Sequence, residues 1–377
     1  MFLALRELRF ARSRFALMGS VVALIAILVV LLSGLSSGLV RDGVSGLQKI
    51  EVTHFAFDEG TEMGSAFSRS VITDDQVRTW SEQPGVAAAE PFGNTLVNAR
   101  SNRDVPVDLA MFGVRPDGFL APTPIEGEGL TGNPDGIVVS QTIIDADPGL
   151  KVGDVVTIDQ LGTEFTVVGV LDEQHTFGHV DVAYVSLDAW QRLRAGVAPG
   201  EELRETEAAS ATAVAIKAND DIDLAAGDAT AGTETVTREG SYDSSPGYTA
   251  ETLTLSMIQY FLYVISALVV GAFFTVWTIN RKHELAVLRA MGASKPYLLR
   301  DGLIQAVVIL AISIGVGLAV GIGLGALMSG TPMPFALEAP AIAVASALLA
   351  LLGLIGAAAA IVRVAAIDPL AALGGQR

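Results

Sequence analysis

The chain has four histidines, His54, His175, His179 and His283, and none belongs to an H-E-x-x-H pair or a comparable ligating pattern. His175 and His179 are four residues apart, a spacing that could serve zinc on a helix. Phe177-Gly178 between them, amid strand-like sequence, instead places both in an exposed polar loop. No serine occupies the strand–turn–helix setting that a G-x-S-x-G nucleophile needs, and no G-x-x-x-x-G-K-[ST] phosphate loop occurs. Zero cysteines exclude a disulfide framework and any thiolate metal site. The chain is therefore expected to be no enzyme by itself, with no catalytic residue and no metal.

The residues best arranged to do work lie in Arg281-Lys-His-Glu-Leu-Ala-Val-Leu-Arg-Ala-Met-Gly-Ala-Ser294. Leu285, Leu288 and Met291 recur every three residues, and Arg281, Lys282, Glu284 and Arg289 fill much of the remaining circumference, as on a short amphipathic helix. Gly292 stands where a helix ends. Ser294 is placed to cap the next helix, with Pro296 in its first turn.

Four uncharged runs frame this segment: 15–40, 253–279, 303–328 and 339–362. At 1.5 Å per residue the first is roughly 39 Å long as a helix, enough to cross a hydrocarbon core of ~30 Å. It lacks the shorter apolar core and A-x-A-like site of a cleaved leader, so it is expected to remain as a span. Half the chain is hydrophobic, and the net charge of −17 comes from one block. Of 41 acidic residues, all but Glu7, Glu284, Asp301, Glu338 and Asp368 lie between the first and second runs. Lys and Arg cluster instead at the N-terminus, in 280–302 and after 362, while 329–338 has none. By the positive-inside rule both termini and 280–302 are expected in the cytoplasm, in a multi-pass protein of the cell membrane whose large domain lies outside. No Asp, Glu, Lys, Arg or His interrupts a span, which argues against proton- or ion-coupled transport. Gly34 and Gly38, and Gly317, Gly321 and Gly325, recur at a spacing of four and predict close helix packing or a dimer seam.

The expected fold is an α-helical membrane protein with four transmembrane helices, one and then three, and an extracytoplasmic α+β domain between the first two. In order, 1–14 is an amphipathic N-terminal segment, 15–40 the first span, and 41–252 the outer domain. The other spans follow at 253–279, 303–328 and 339–362, separated by the cytoplasmic segment 280–302 and the outer turn 329–338, with 363–377 as a tail. Val44, Leu47, Ile50 and His54/Phe55 predict that the first helix continues as a stalk to about Ser70. Thr73 should cap a helix, with strands at 85–92, 95–99 and 107–113, and a small barrel-like subdomain is expected at about 136–193.

Three local patterns carry a resemblance to the FtsX/MacB-type permeases of ABC transporters. Arg281 to Ser294 is similar to that family's cytoplasmic coupling segment, R-K-x-E-L-x-x-L-R-A-x-G-A-S, at nearly every position. Leu150-Lys-Val-Gly-Asp, Phe165-Thr-Val-Val-Gly-Val-Leu and Tyr184-Val-Ser-Leu-Asp-Ala-Trp resemble its outer core domain, and Ile367-Asp-Pro-Leu-Ala-Ala-Leu373 its closing motif. The resemblance covers essentially the whole chain, and within the family it is strongest to the haem-exporter permeases. It implies a homodimer in the lipid bilayer, driven by two copies of a cytoplasmic ABC ATPase that binds ATP-Mg, with no nucleic-acid partner and no intrinsic cofactor. ATPase coupling would fall to Arg281, Glu284, Leu285, Leu288, Arg289, Met291 and Gly292. If haem is the cargo, its iron needs His, Met, Tyr or carboxylate ligands and its ring an apolar slot. Glu51, His54 and Met63 with Phe55 and Phe57 after the first span, and Met257, Tyr260 and Tyr263 on the second, are the candidates. The alternatives are export of another hydrophobic or lipidated substrate or a peptide, or regulation of an extracellular hydrolase without transport. A membrane-anchored adhesin would leave the coupling motif unexplained.

Overall fold

The structure is a computed structural model and describes residues 12–146, 150–199, 201–204, 210–280, 287, 291–329, 331 and 333–365. Four of its helices are long and apolar enough to cross a membrane, one near the N-terminus and three in the C-terminal part. The chain divides into two compact units, 1–39 with 252–377, and 40–251.

Helix α1 covers Arg12–Gln48, so it runs eight residues beyond the uncharged segment. The outer unit then alternates short strands and helices: β1 (His54–Asp58), α2 (Asp74–Glu82), β2 (Val86–Ser101), β3 (Pro106–Val114), β4 (Gly136–Val139), β5 (Val155–Ile158), β6 (Glu164–Val170), β7 (Thr176–Phe177), β8 (Val180–Ser186), α3 (Leu187–Arg194), β9 (Ala213–Ala218), α4 (Leu224–Ala231) and β10 (Thr233–Thr237). Thr73 caps α2 in a full capping box with Gln76.

Strands β2-β3-β8-β4-β6 pair in that order, and β5 bonds to both β6 and β2, which closes a six-stranded barrel. The expected subdomain at about 136–193 is therefore too short, because β2 and β3 supply part of the wall. Sequence reading splits β2 in two at Gly93-Asn94, a turn-like dipeptide. In the fold Gly93 pairs directly with Gly113 of β3, and the Trp190 ring lies on both. A Cβ at either position would stand 2.3–2.4 Å from Trp190, so the glycines are seats for an indole. The N-terminal half of β2 pairs with β9, which continues through β1 to β10.

Side-chain alternation sorts these strands between cores. On β3, Leu109 and Met111 face the barrel core, while Ala110, Phe112 and Val114 face a second core; on β8, Ala183 and Val185 oppose Val182 and Tyr184 in the same way. The second core holds edge-to-face contacts among Phe55, Phe57, Phe67, Phe92, Phe112, Phe177 and Tyr184. It also takes Val44 and Leu47 of α1, both fully buried, with Ile50. The helical stalk expected to about Ser70 ends at Gln48. Beyond Ile50 the apolar period changes from helical to two, and Phe55 and Phe57 enter the core from a strand.

In the membrane unit, α1 packs with α5 (Tyr248–Asn280), α6 (Lys295–Met328) and α7 (Ala339–Ala365) around Val22, Val29, Val270, Phe274, Leu310 and Leu349. The glycine rows are seams within this one chain. Gly317 lies against Ala23 and Ala26, Gly321 against Val30, and Gly34 and Gly38 against Phe335 and Pro334.

Candidate functional site

Of the expected coupling residues, Arg281, Glu284, Leu285, Leu288 and Arg289 lie outside the described residues. Met291 and Gly292 are described. The Met291 amide donates to Val287 O at 3.0 Å, closing a helical turn, and Gly292 follows at φ +102°, a left-handed value that ends it. Ser294 Oγ accepts from the Tyr297 amide at the start of α6, with a proline in the first turn. Val287, Met291 and Tyr297 are exposed, Met291 by 71%.

The cargo candidates fall in both units. In the outer unit, Glu51, His54 and Met63 lie beyond the end of α1 rather than on a stalk, and each has its own partner. Glu51 Oε2 accepts from Lys217 Nζ at 2.9 Å, and this hydrogen bond and charge hold its carboxyl below the ordinary range. His54, on β1, has Nδ1 2.9 Å from Thr53 Oγ1, and burial lowers its pKa even though Glu239 opposes the shift. Met63 Sδ accepts from Ser244 Oγ at 3.2 Å and packs on the aromatic core. Phe55 and Phe57 are fully buried and offer no open slot. In the membrane unit, Met257 and Tyr260 are exposed with Leu253, Phe261 and Val264 on α5, whereas Tyr263 is buried in the bundle. An apolar groove of about 410 Å³ runs between α1 and α6, lined by Phe15, Gly19, Ser20, Ile312 and Ser313 among others.

Among the described residues a dense polar cluster falls where sequence reading expects an exposed loop. His175 is buried and His179 half-buried, because the segment 172–181 lies against the outer end of α1. Lys49 Nζ lies 3.2 Å from His175 Nε2, 3.6 Å from Asp172 Oδ1 and 3.5 Å from Glu173 Oε2, and Arg41 pairs with Glu173 at 3.5 Å. Burial, reinforced by Lys49, lowers the His175 pKa, so this imidazole is neutral at pH 7. Asp172 is held low first by its hydrogen bond with His175. Asp181 is pushed up by burial although the Thr142 and Ser140 hydroxyls counter this. His179 Nδ1 is 2.8 Å from Asp42 Oδ2, and Nε2 is 3.2 Å from Glu251 Oε2. Spacing alone hides the cluster, since its partners are about 130 residues upstream on α1 and 70 downstream on α5. Among the described residues no group of three His, Asp or Glu is arranged to hold a metal ion.

The geometry is thus that of a membrane bundle with a barrel-bearing outer unit and polar contacts where the long helices begin and end. Comparison with known proteins agrees. Residues 15–231 match the model of the MacB-like periplasmic core domain, and 256–369 that of the FtsX-like permease C-terminal region. The chain is 25% identical over 377 residues to a Staphylococcus haemolyticus protein named as a hemin transport system permease, HrtB, covering 99% of both. It is 23% identical over 380 residues to an uncharacterized ABC transporter permease of Mycobacterium bovis, covering 100% of this chain and 99% of the relative. The solved extracellular domain of the noncanonic ABC-type transporter YknZ from Gram-positive bacteria is 13% identical, with a TM-score of 0.36 over 50% of this chain and 99% of that one. With four membrane-spanning helices, one and then three around an outer α+β domain, the chain belongs to the FtsX/MacB-type family of ABC transporter permeases.

Proposed function

We propose that this permease is the membrane subunit of an ATP-driven efflux pump that exports haem, working as a homodimer with a separate ATPase subunit in two copies. The observation that carries the cargo is the full-length similarity to HrtB, named for hemin transport. The chain has no phosphate loop of its own, so ATP-Mg binds the partner. Both termini and 280–302 lie in the cytoplasm on this reading, which puts Leu285, Leu288 and Met291 where an apolar groove of the ATPase can receive them, with Glu284 and Arg289 fixing register. Export is mechanical: ATPase closure moves the coupling segment, and the spans pass that motion to the outer domain and squeeze a cavity at the outer leaflet.

Of the cargo candidates, Met257 and Tyr260 suit the role best. They offer a thioether and a phenol on an exposed face of α5, with the Phe261 ring nearby to pack on a macrocycle. Glu51, His54 and Met63 would have to exchange their present partners for iron. The test is the haem absorption spectrum of the purified full-length protein in nanodiscs, with Met257→Ala and Tyr260→Ala beside it. The ligand band is expected to shift in at least one variant. Identical spectra in wild type and both variants would remove this site.

A further inference from the structure

Within the outer unit, the end of α1 and the first turn of α5 meet the same core and carry different polar contacts. The end of α1 is anchored by apolar burial: Val44 and Leu47 are fully buried, and Ser45 Oγ bonds the Thr176 hydroxyl at 2.8 Å inside the core. Gly46 is pressed so close that a Cβ there would stand 2.7 Å from Val182 and 3.0 Å from Thr176 O. The first turn of α5 packs Tyr248 on the same core, edge to face with Tyr242, and adds polar contacts. Ser245 Oγ, just before it, donates to Gly43 O at 2.8 Å and accepts from the Gly178 amide at 3.2 Å. Glu251, within that turn, faces His179.

His179 occupies an unusual place. Gly178 and His179, at φ +60° and +65°, form the two-residue turn between β7 and β8, a geometry that favours Gly or Asn at both positions. The imidazole lies between Asp42 of α1 and Glu251 of α5 and presents one nitrogen to each. A neutral imidazole has one N–H, whereas the imidazolium has two. The Nδ1–Asp42 contact, at 2.8 Å, is a well-formed hydrogen bond. The Nε2–Glu251 contact, at 3.2 Å, is an ion pair lacking hydrogen-bond alignment. The neutral tautomer that keeps Nδ1–H on Asp42 leaves Nε2 without a proton beside the Glu251 carboxylate.

The other charged and titratable groups around this point come from each packed element. From α1 there is Asp42, whose other oxygen accepts from Gln174 Nε2 at 2.7 Å, and from α5 there are Glu251 and Tyr248, the latter beside Gly43. From β8 there is Asp181, hydrogen-bonded by Thr142 and sensing the Asp42 charge. The bases Arg41 and Lys49 on α1 are paired with Glu173 and Asp172.

We propose that His179 is a proton-operated latch: as imidazolium it ties the first turn of α5 to the outer end of α1 through Glu251 and Asp42, and as neutral imidazole it releases Glu251. The latch is independent of the cargo. It makes the hold on the first turn of α5 sensitive to pH.

The test is hydrogen–deuterium exchange of the full-length protein in nanodiscs near pH 6 and pH 8, corrected for intrinsic exchange and referenced to α2. In wild type, peptides spanning 248–256 should be about fivefold better protected at the lower pH, the ratio expected for loss of one half-exposed ion pair worth ~1 kcal/mol. His179→Asn keeps a side chain that tolerates the left-handed turn but cannot become a cation, and Glu251→Gln removes the anion. Both variants should show a ratio near one. A wild-type ratio of one, or an undiminished ratio in either variant, overturns the latch.

Discussion

Replacing Gly317 by Ala tests how the membrane bundle is packed, because helix α6 carries its own controls. A Cβ at Gly317 would lie 2.5 Å from Ala26 Cβ and 2.6 Å from Ala23 O on α1. Carbon atoms pack at about 3.5–4.0 Å, so α1 and α6 would have to separate locally by roughly 1–1.5 Å. Neither neighbour is the flexible end of a side chain, and overpacking of this kind costs about 1–3 kcal/mol. Relief of glycine's poor helix propensity returns at most about 1 kcal/mol, so overpacking prevails. Gly315 and Gly323, on the same helix, have nothing within 4 Å of the corresponding Cβ. Thermal unfolding in detergent, followed by tryptophan fluorescence, should show Gly317→Ala melting several degrees below wild type, at about 2–4 °C per kcal/mol. Gly315→Ala and Gly323→Ala should match wild type or exceed it. If Gly317→Ala melts with the other two, Gly317 and Gly321 are not the α1–α6 seam.

Two further predictions concern pH. Burial holds the folded-state pKa of His54 and His175 below the unfolded value of 6.5, so their contribution is fully present above that value and is lost as pH falls through it towards the folded pKa. The melting temperature of the outer unit should therefore drop between about pH 7 and pH 5.5, and His175→Gln should flatten part of the drop in a pH series of melts; an unchanged slope would refute the assignment. Asp181 has the opposite sign: its raised pKa favours the protonated form in the fold, so its contribution is present below the unfolded value of 3.8 and is lost as pH rises through the folded pKa. Asp181→Asn should raise the melting temperature at pH 7, with the advantage shrinking on acidification, and a variant less stable at pH 7 would show that the Thr142 and Ser140 hydrogen bonds outweigh the cost of burial.

The membrane part of the fold was legible because each span is an uninterrupted uncharged run, a signal that needs no tertiary information. Thr73 was legible for a similar reason, since its capping partner Gln76 is three residues away. The outer unit was less so where two signals overlap. Val44, Leu47 and Ile50 fit a helix and the next apolar residues extend the period by chance, which hid the change to a strand at His54. Gly93-Asn94 looks like a turn until Trp190 is placed on Gly93, and that packing closes only in three dimensions. His175 and His179 looked like loop residues because Lys49, Asp42 and Glu251, which enclose them, belong to elements far along the chain. The coupling segment is the reverse case: its motif is explicit in sequence, while five of its candidate residues, Arg281, Glu284, Leu285, Leu288 and Arg289, lie outside the described structure.

The claim that matters most is that this permease converts ATP hydrolysis on a partner into haem export through the 281–292 segment. Its most direct test is the ATPase rate of the purified permease–ATPase complex in nanodiscs, titrated with haem, for wild type and for Leu288→Asp. A haem-stimulated rate in wild type that is lost in a correctly inserted Leu288→Asp protein is the expected result. A wild-type rate that haem leaves unchanged, or full stimulation in Leu288→Asp, would contradict it.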